Sequence, residues 1–173
     1  VPLASPRMET AIAQLGSKTA VVVGSGGSKA AFCEALARAT GGSALSTQAL
    51  VEAEMQAGTN EGRELTALQT SGKIVPAPTL LRLLLRAMGA CAAPYILTDF
   101  PRSASQLTQL EASIGAVACF LQLPASEDRL AESMLKKLRP SGRVHICSDA
   151  AEAYGLLQAA GVLLPPAGAT APD

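Results

Sequence analysis

The stretch Thr19-Ala20-Val21-Val22-Val23-Gly24-Ser25-Gly26-Gly27-Ser28-Lys29-Ala30-Ala31 decides how this chain is read. Its first five residues are mostly apolar and β-branched, and they stop at a glycine. A run without polar alternation predicts a strand buried on both faces, as in the middle of a parallel sheet. From Lys29 to Ala39 the period and the Ala/Leu content predict a helix, closed by Gly41-Gly42. Gly24, Gly26 and Gly27 therefore join a buried strand to a helix start. Backbone N–H groups at such a start point outward, and the helix dipole favours an anion there. Glycines let the chain curl around phosphate while a lysine reaches the outer oxygens. Lys29 opposes the dipole unless an anion partners it, which favours an anionic ligand over an ordinary helix-start lysine.

Working outward, helices are predicted over 47–56, 61–70, 79–88, 103–113, 127–138 and 150–160. Ser126 is the N-cap expected for the fifth of these. Strands are predicted over 95–98, with Pro94 at the entry, over 116–123, and over 162–164. Strands alternating with helices imply an α/β fold, a parallel sheet covered on both faces. No internal repeat is visible.

The 173 residues are most simply one domain, and 49% of them are hydrophobic, enough for a core. With 3% aromatics and no Trp, that core is built from Ala, Leu, Val and Ile. Fourteen basic residues balance fourteen acidic ones, so no charge excess points to nucleic acid or an anionic membrane as partner. Cys33, Cys91, Cys119 and Cys147 form no CxxC pair, and His145 is the one histidine, so a zinc site of usual spacing is not expected. Scattered, apolar-flanked cysteines read as buried reduced thiols of a cytoplasmic protein. No apolar run approaches the ~18 residues of a membrane span, and the start shows no signal-peptide pattern. The chain begins at Val1, and 165–173 have linker composition. The expected layout is an N-terminal extension or linker over 1–16, a domain over 17–164 and a Pro/Ala-rich linker over 165–173, cut from a longer protein.

Against G-x-x-x-x-G-K-[ST], the glycine-rich loop departs at three places: Val23 replaces the first glycine, Ser28 the second, and Ala30 the hydroxyl residue. Four further segments follow in order: Leu45-Ser46-Thr47, Gly72-Lys73-Ile74-Val75-Pro76, Ile96-Leu97-Thr98-Asp99-Phe100-Pro101-Arg102 and Ser141-Gly142-Arg143-Val144. Together with the loop they resemble the adenylate kinases over roughly residues 17–146. The segments correspond to that family's GGPGSGKGT, LSTGD, G-x-[ILV]-V-P, D-G-[FY]-P-R and SGR[V].

The resemblance implies a P-loop NTPase-like three-layer sandwich, with a parallel sheet of about five strands, flanking helices and a shortened lid. It implies ATP and AMP as ligands, with Mg²⁺. Gly24, Gly26, Gly27, Ser28 and Lys29 match the phosphate loop. Thr47, Val75 and Gln106 match positions that hold the adenosine part of AMP. Arg102 matches an arginine on the AMP phosphate, and Arg143 a lid arginine that closes on the transferred group. Lys29, Arg102 and Arg143 are thus the implied catalytic residues.

The departures matter as much. The family's second AMP-phosphate arginine is Glu52 here, an anion facing a dianion. The family's DG pair is Thr98-Asp99, so the carboxylate that organises Mg²⁺ is lost or displaced by one residue, which on a strand turns it to the other face. Ala31 replaces the loop threonine, and Lys137 stands for an arginine, without its bidentate fork. His145 and Ile146 stand for lid carboxylates, Tyr154 for a further arginine, and the family's C-terminal helix is expected to be missing. His145 has no nucleophile or orienting carboxylate in view and reads as a bystander.

Phosphoryl transfer is positioning plus electrostatics, and one arginine of this kind is worth about 10³–10⁵ in rate. Negligible turnover is therefore expected, from a structural or nucleotide-sensing module whose partners are other proteins or parts of a larger parent chain. Degenerate family members of this kind imply a cilium or flagellum axoneme as setting. The alternative is an active nucleoside monophosphate kinase in which Asp99 takes the metal and Arg38, Arg82 or Arg139 replaces lost arginines. A different P-loop or Rossmann-like domain, with Asp99 and Arg102 as a structural pair, is the remaining reading.

Overall fold

Thr19–Val23 forms β1, and all five of its residues are buried. The computed structural model describes residues 15–24, 28–91, 93–124 and 129–162. After β1 come α1 (Ser28–Thr40), β2 (Ser43–Leu45), α2 (Thr47–Gln56), α3 (Asn60–Thr70), α4 (Ala77–Ala90), β3 (Tyr95–Leu97), α5 (Ala104–Ile114), β4 (Cys119–Gln122), α6 (Arg129–Leu138), β5 (Val144–Ile146) and α7 (Ala150–Ala159). The strands form one sheet in the order β2-β3-β1-β4-β5. Every pairing is parallel. This is the P-loop-kinase-like α/β sandwich expected from the sequence.

Side-chain alternation on β1 explains the three layers. Val21 and Val23 face one core with Leu84, Met88, Leu107, Leu110 and Phe120. Ala20 and Val22 face the other, with Cys33, Leu36, Leu121, Ala153 and Leu157. A central strand must therefore be apolar on both faces, which is why its pattern was legible.

Several expectations shift. The strand expected over 95–98 ends at Leu97, and the one over 116–123 spans Cys119–Gln122. The sheet gains β2 and β5, whose burial is partial because both lie at its edges. Val162 is buried without joining a strand; Leu163, Leu164 and the Ser126 cap lie outside the described residues. Helix starts follow cap chemistry: Ser46, Thr59, Ser103 and Asp149 each accept a backbone N–H of the first turn they precede. Where a shortened lid is expected, α6 joins β5 through the connection 139–143, a single 3₁₀ turn. The helix expected over 150–160 is α7, with Ala153 and Leu157 buried in the same core as Cys33 and Leu36 of α1.

Candidate functional site

In an open parallel sheet, ligands sit beyond the carboxyl ends of the strands, where the connections diverge to opposite faces. Here β1 leads into α1 on one face, while β3 leads through 98–103 into α5 on the other. Between them opens a cleft of about 790 Å³, completed by α2, residues 74–75 and Leu80 of α4. Lys29, Thr47, Val75, Asp99, Arg102 and Gln106, drawn from five separate segments, all line it.

Lys29 is half-buried in the first turn of α1 and also borders a narrow recess with Gly24 and Arg102. Gly24 sits close to the neighbouring strand end: a Cβ there would lie 3.0 Å from Cβ of Leu123, which would have to shift by a few tenths of an ångström. Gly26 and Gly27 lie outside the described residues, and of Ser28 only its place at the start of α1 is described.

Asp99 is the most fully bonded group of the cleft. Its Oδ1 accepts the Thr47 N–H at 2.7 Å and the Thr47 hydroxyl at 2.9 Å. Its Oδ2 accepts the Ser46 hydroxyl at 2.7 Å and the Gln48 N–H at 3.2 Å. The carboxylate thus caps α2, at the helix end where a negative charge is favoured. Ser46 completes the cap by accepting the Ala49 N–H at 3.3 Å. Sequence reading missed Ser46 as a site residue; a serine just before a helical period was the signal for the cap, but nothing local announced its bond to Asp99.

Gln106 accepts the Arg102 N–H through Oε1 at 2.8 Å, so its amide NH₂ is the end left to meet a ligand. Val51, Ile74, Val75 and Leu80 supply an apolar wall, and Ile74 is 89% exposed. Cys33 also lines the cleft, and burial pushes its thiol up to about 12, so it stays a thiol. The charged residues of the lining are Lys29 and Arg102 against Glu34, Glu52 and Asp99.

Arg143 is not brought to this cleft. Its carbonyl accepts the Phe120 N–H at 2.8 Å, immediately before β5, which places it at the amino-terminal edge of a sheet whose carboxyl edge holds Lys29. There its guanidinium donates to Glu111 at 2.9 Å and to the Val117 carbonyl at 3.0 Å, and stands 5.6 Å from the Phe120 ring centroid. The SGR segment opens no lid, because β5 begins at the next residue.

The arginines considered as substitutes are also elsewhere. Arg38 lies 3.7 Å from Glu34, Arg82 is paired with Glu61, and Arg139 with Glu132 at 2.6 Å. None of them lines the cleft. Lys137 is exposed, and His145 and Ile146 stand on the edge strand β5.

The described residues of the loop and Asp99 do not fit Mg²⁺, which demands an octahedron of oxygen ligands. Ala30 and Ala31 offer no side-chain oxygen after Lys29, and both oxygens of Asp99 are already occupied by donors. Among the described residues no group of three His, Cys, Asp or Glu is placed to hold a metal.

Lys29 after the glycine-rich loop, Ser46-Thr47 and the segment from Thr98 to Arg102 converge on one cleft, and comparison with known proteins agrees with that layout. The chain is 32% identical over 126 residues to adenylate kinase isoenzyme 1 of Cyprinus carpio. It is 33% identical over 127 residues to the Sus scrofa isoenzyme 1, and 30% over 127 to adenylate kinase 1 of Schistosoma mansoni. The chain belongs to an adenylate-kinase-like family. The matches cover 71 to 72% of this chain but only 64 to 66% of those relatives, so the chain spans less than two thirds of their length. No family model matches. As an adenylate-kinase-like domain it is a nucleoside monophosphate kinase-like fold, and among the described residues no helix is long and apolar enough to cross a membrane.

Proposed function

We propose that residues 17–164 form a degenerate adenylate-kinase-like domain that binds the adenosine part of a nucleotide and transfers phosphoryl groups negligibly. It serves as a structural or nucleotide-sensing module of a larger protein. One observation carries this reading: the cleft gathers Lys29, Thr47, Val75, Arg102 and Gln106, but Arg143 is tied to Glu111 at the opposite edge of the sheet. Adenosine-holding groups are together; phosphate-stabilising ones are depleted.

The charge balance supports the same conclusion. Transfer needs cations around the moving phosphoryl group. Here two cations share the lining with three carboxylates, and Glu52 stands exposed among them. A connection of five residues, 139–143, supplies no lid to exclude water. A ciliary or flagellar parent belongs to this reading and rests on family resemblance alone.

The test is ADP formation from ATP, AMP and Mg²⁺ by the purified domain, with Lys29→Ala as control. The expected outcome is no turnover above the Lys29→Ala background. Robust turnover abolished by Lys29→Ala makes the domain an active kinase and ends this reading.

A further inference from the structure

We infer that Asp99 is a clasp that builds the floor of the cleft, not a metal ligand, and that the cleft takes its nucleotide free of divalent metal. The second half rests on the nucleotide reading above.

Asp99 follows β3, and its four donors lie on Ser46, Thr47 and Gln48, at the start of α2. Two of those donors are backbone N–H groups, which only donate, and two are hydroxyls. A carboxylate offers about four lone-pair sites. All four are filled at 2.7 to 3.2 Å, two on each oxygen. A metal ion approaching Oδ1 or Oδ2 would strip a donor from it, and the half-buried Thr47 N–H on Oδ1 is costly to leave without a partner.

Position works against a cation independently of valence. The carboxylate lies at the N-terminus of α2, the positive end of that helix's dipole. Lys29 and Arg102 line the same cleft. A divalent ion at Asp99 meets that helix end with no side-chain oxygen from Ala30 or Ala31 to hold it, and the other carboxylates of the lining are those of Glu34 and Glu52. Lys29 and Arg102 are the cationic side chains that border the cleft. The clasp is in place before any ligand arrives, so Thr47 and the wall that α2 presents are set by Asp99.

The experiment has two arms on the full chain. In the first, Mn²⁺ alone is titrated and free Mn²⁺ is followed by its electron paramagnetic resonance signal, for wild type and Asp99→Asn, alongside thermal melts. Wild type is expected to show no saturable Mn²⁺ binding and a Tm unmoved by Mn²⁺, and Asp99→Asn a lower Tm. Saturable binding by wild type that Asp99→Asn abolishes, or a variant as stable as wild type, overturns the clasp. In the second arm, ATP affinity is measured by calorimetry in excess Mg²⁺ and in EDTA. The two values are expected to agree within about twofold, and affinity about tenfold tighter with Mg²⁺ overturns the metal-free ligand. A wild type that binds neither ATP nor AMP in either buffer ends the nucleotide reading and the second half with it, while the Mn²⁺ arm still decides the role of Asp99.

Discussion

Nη1 of Arg143 donates to Oε2 of Glu111 across 2.9 Å, joining the residue before β5 to the last turn of α5. The same carboxylate oxygen accepts the Val117 N–H at 2.8 Å. Both side chains are about three-quarters covered, at 27% and 23% exposure. Solvent therefore screens the pair only in part, and Glu111→Ala leaves two donors without their acceptor. A loss of about 1–2 kcal/mol is expected in urea unfolding, between the value of an exposed pair and that of a buried one. Arg143→Ala is expected to destabilise similarly while leaving nucleotide affinity unchanged. A marked loss of affinity in Arg143→Ala returns that residue to the nucleotide site.

Glu52 lines the cleft, where its Oε1 accepts from Gln48 Nε2 at 3.4 Å. Wild type is expected to bind AMP and adenosine equally, because the anion offsets what Lys29 and Arg102 contribute. Glu52→Arg is expected to tighten AMP about three- to tenfold, and adenosine not at all, with the gain fading at high salt. Calorimetry with both ligands decides. Much tighter binding of AMP than adenosine by wild type sinks the argument.

Two helical glycines make opposite predictions from the same substitution. Helix propensity favours alanine by about 0.5–1 kcal/mol. At Gly155, mid-helix in α7, an added Cβ meets nothing within 4 Å, so Gly155→Ala should stabilise by that amount. At Gly62 in α3 the Cβ would lie about 2.2 Å from the Glu54 carbonyl oxygen of α2, a backbone atom that cannot swing aside. Overpacking of about 1–3 kcal/mol then outweighs propensity. Gly62→Ala should destabilise, as denaturant midpoints will show.

Burial raises the thiols of Cys33 and Cys119 from 9.0 to about 12 and that of Cys147 to about 11, whereas Cys91 is exposed. In the unfolded chain the three would lose their protons near 9.0, while the folded state retains them. The unfolded state thus binds fewer protons above that pH, so this contribution is full below pH 9 and is lost between about 9 and 12. Stability should fall across that window. At pH 8 iodoacetamide should label Cys91 alone in the native protein and all four cysteines in denaturant. Native labelling of Cys33 at the rate of Cys91 contradicts the buried placement.

What the sequence determined by itself was the part of the fold set by local pattern. The apolar run of β1, the exact span of α2 (Thr47–Gln56) and the helix periods follow from burial on both faces and from the 3.6-residue repeat. The motif order also located Lys29, Thr47, Val75, Arg102 and Gln106, which share one cleft because parallel strands deliver their carboxyl ends to one edge. Tertiary structure decided the rest. Ser43–Leu45 and Val144–Ile146 are three-residue edge strands whose pattern is weak, and they exist through pairing with β3 and β4. The positions of Asp99 and Arg143 within their motifs say nothing of their partners, which lie 51 to 53 and 32 residues away. A side chain's role is set by the donors and acceptors that folding brings to it, and those come from parts of the chain that local sequence does not contain.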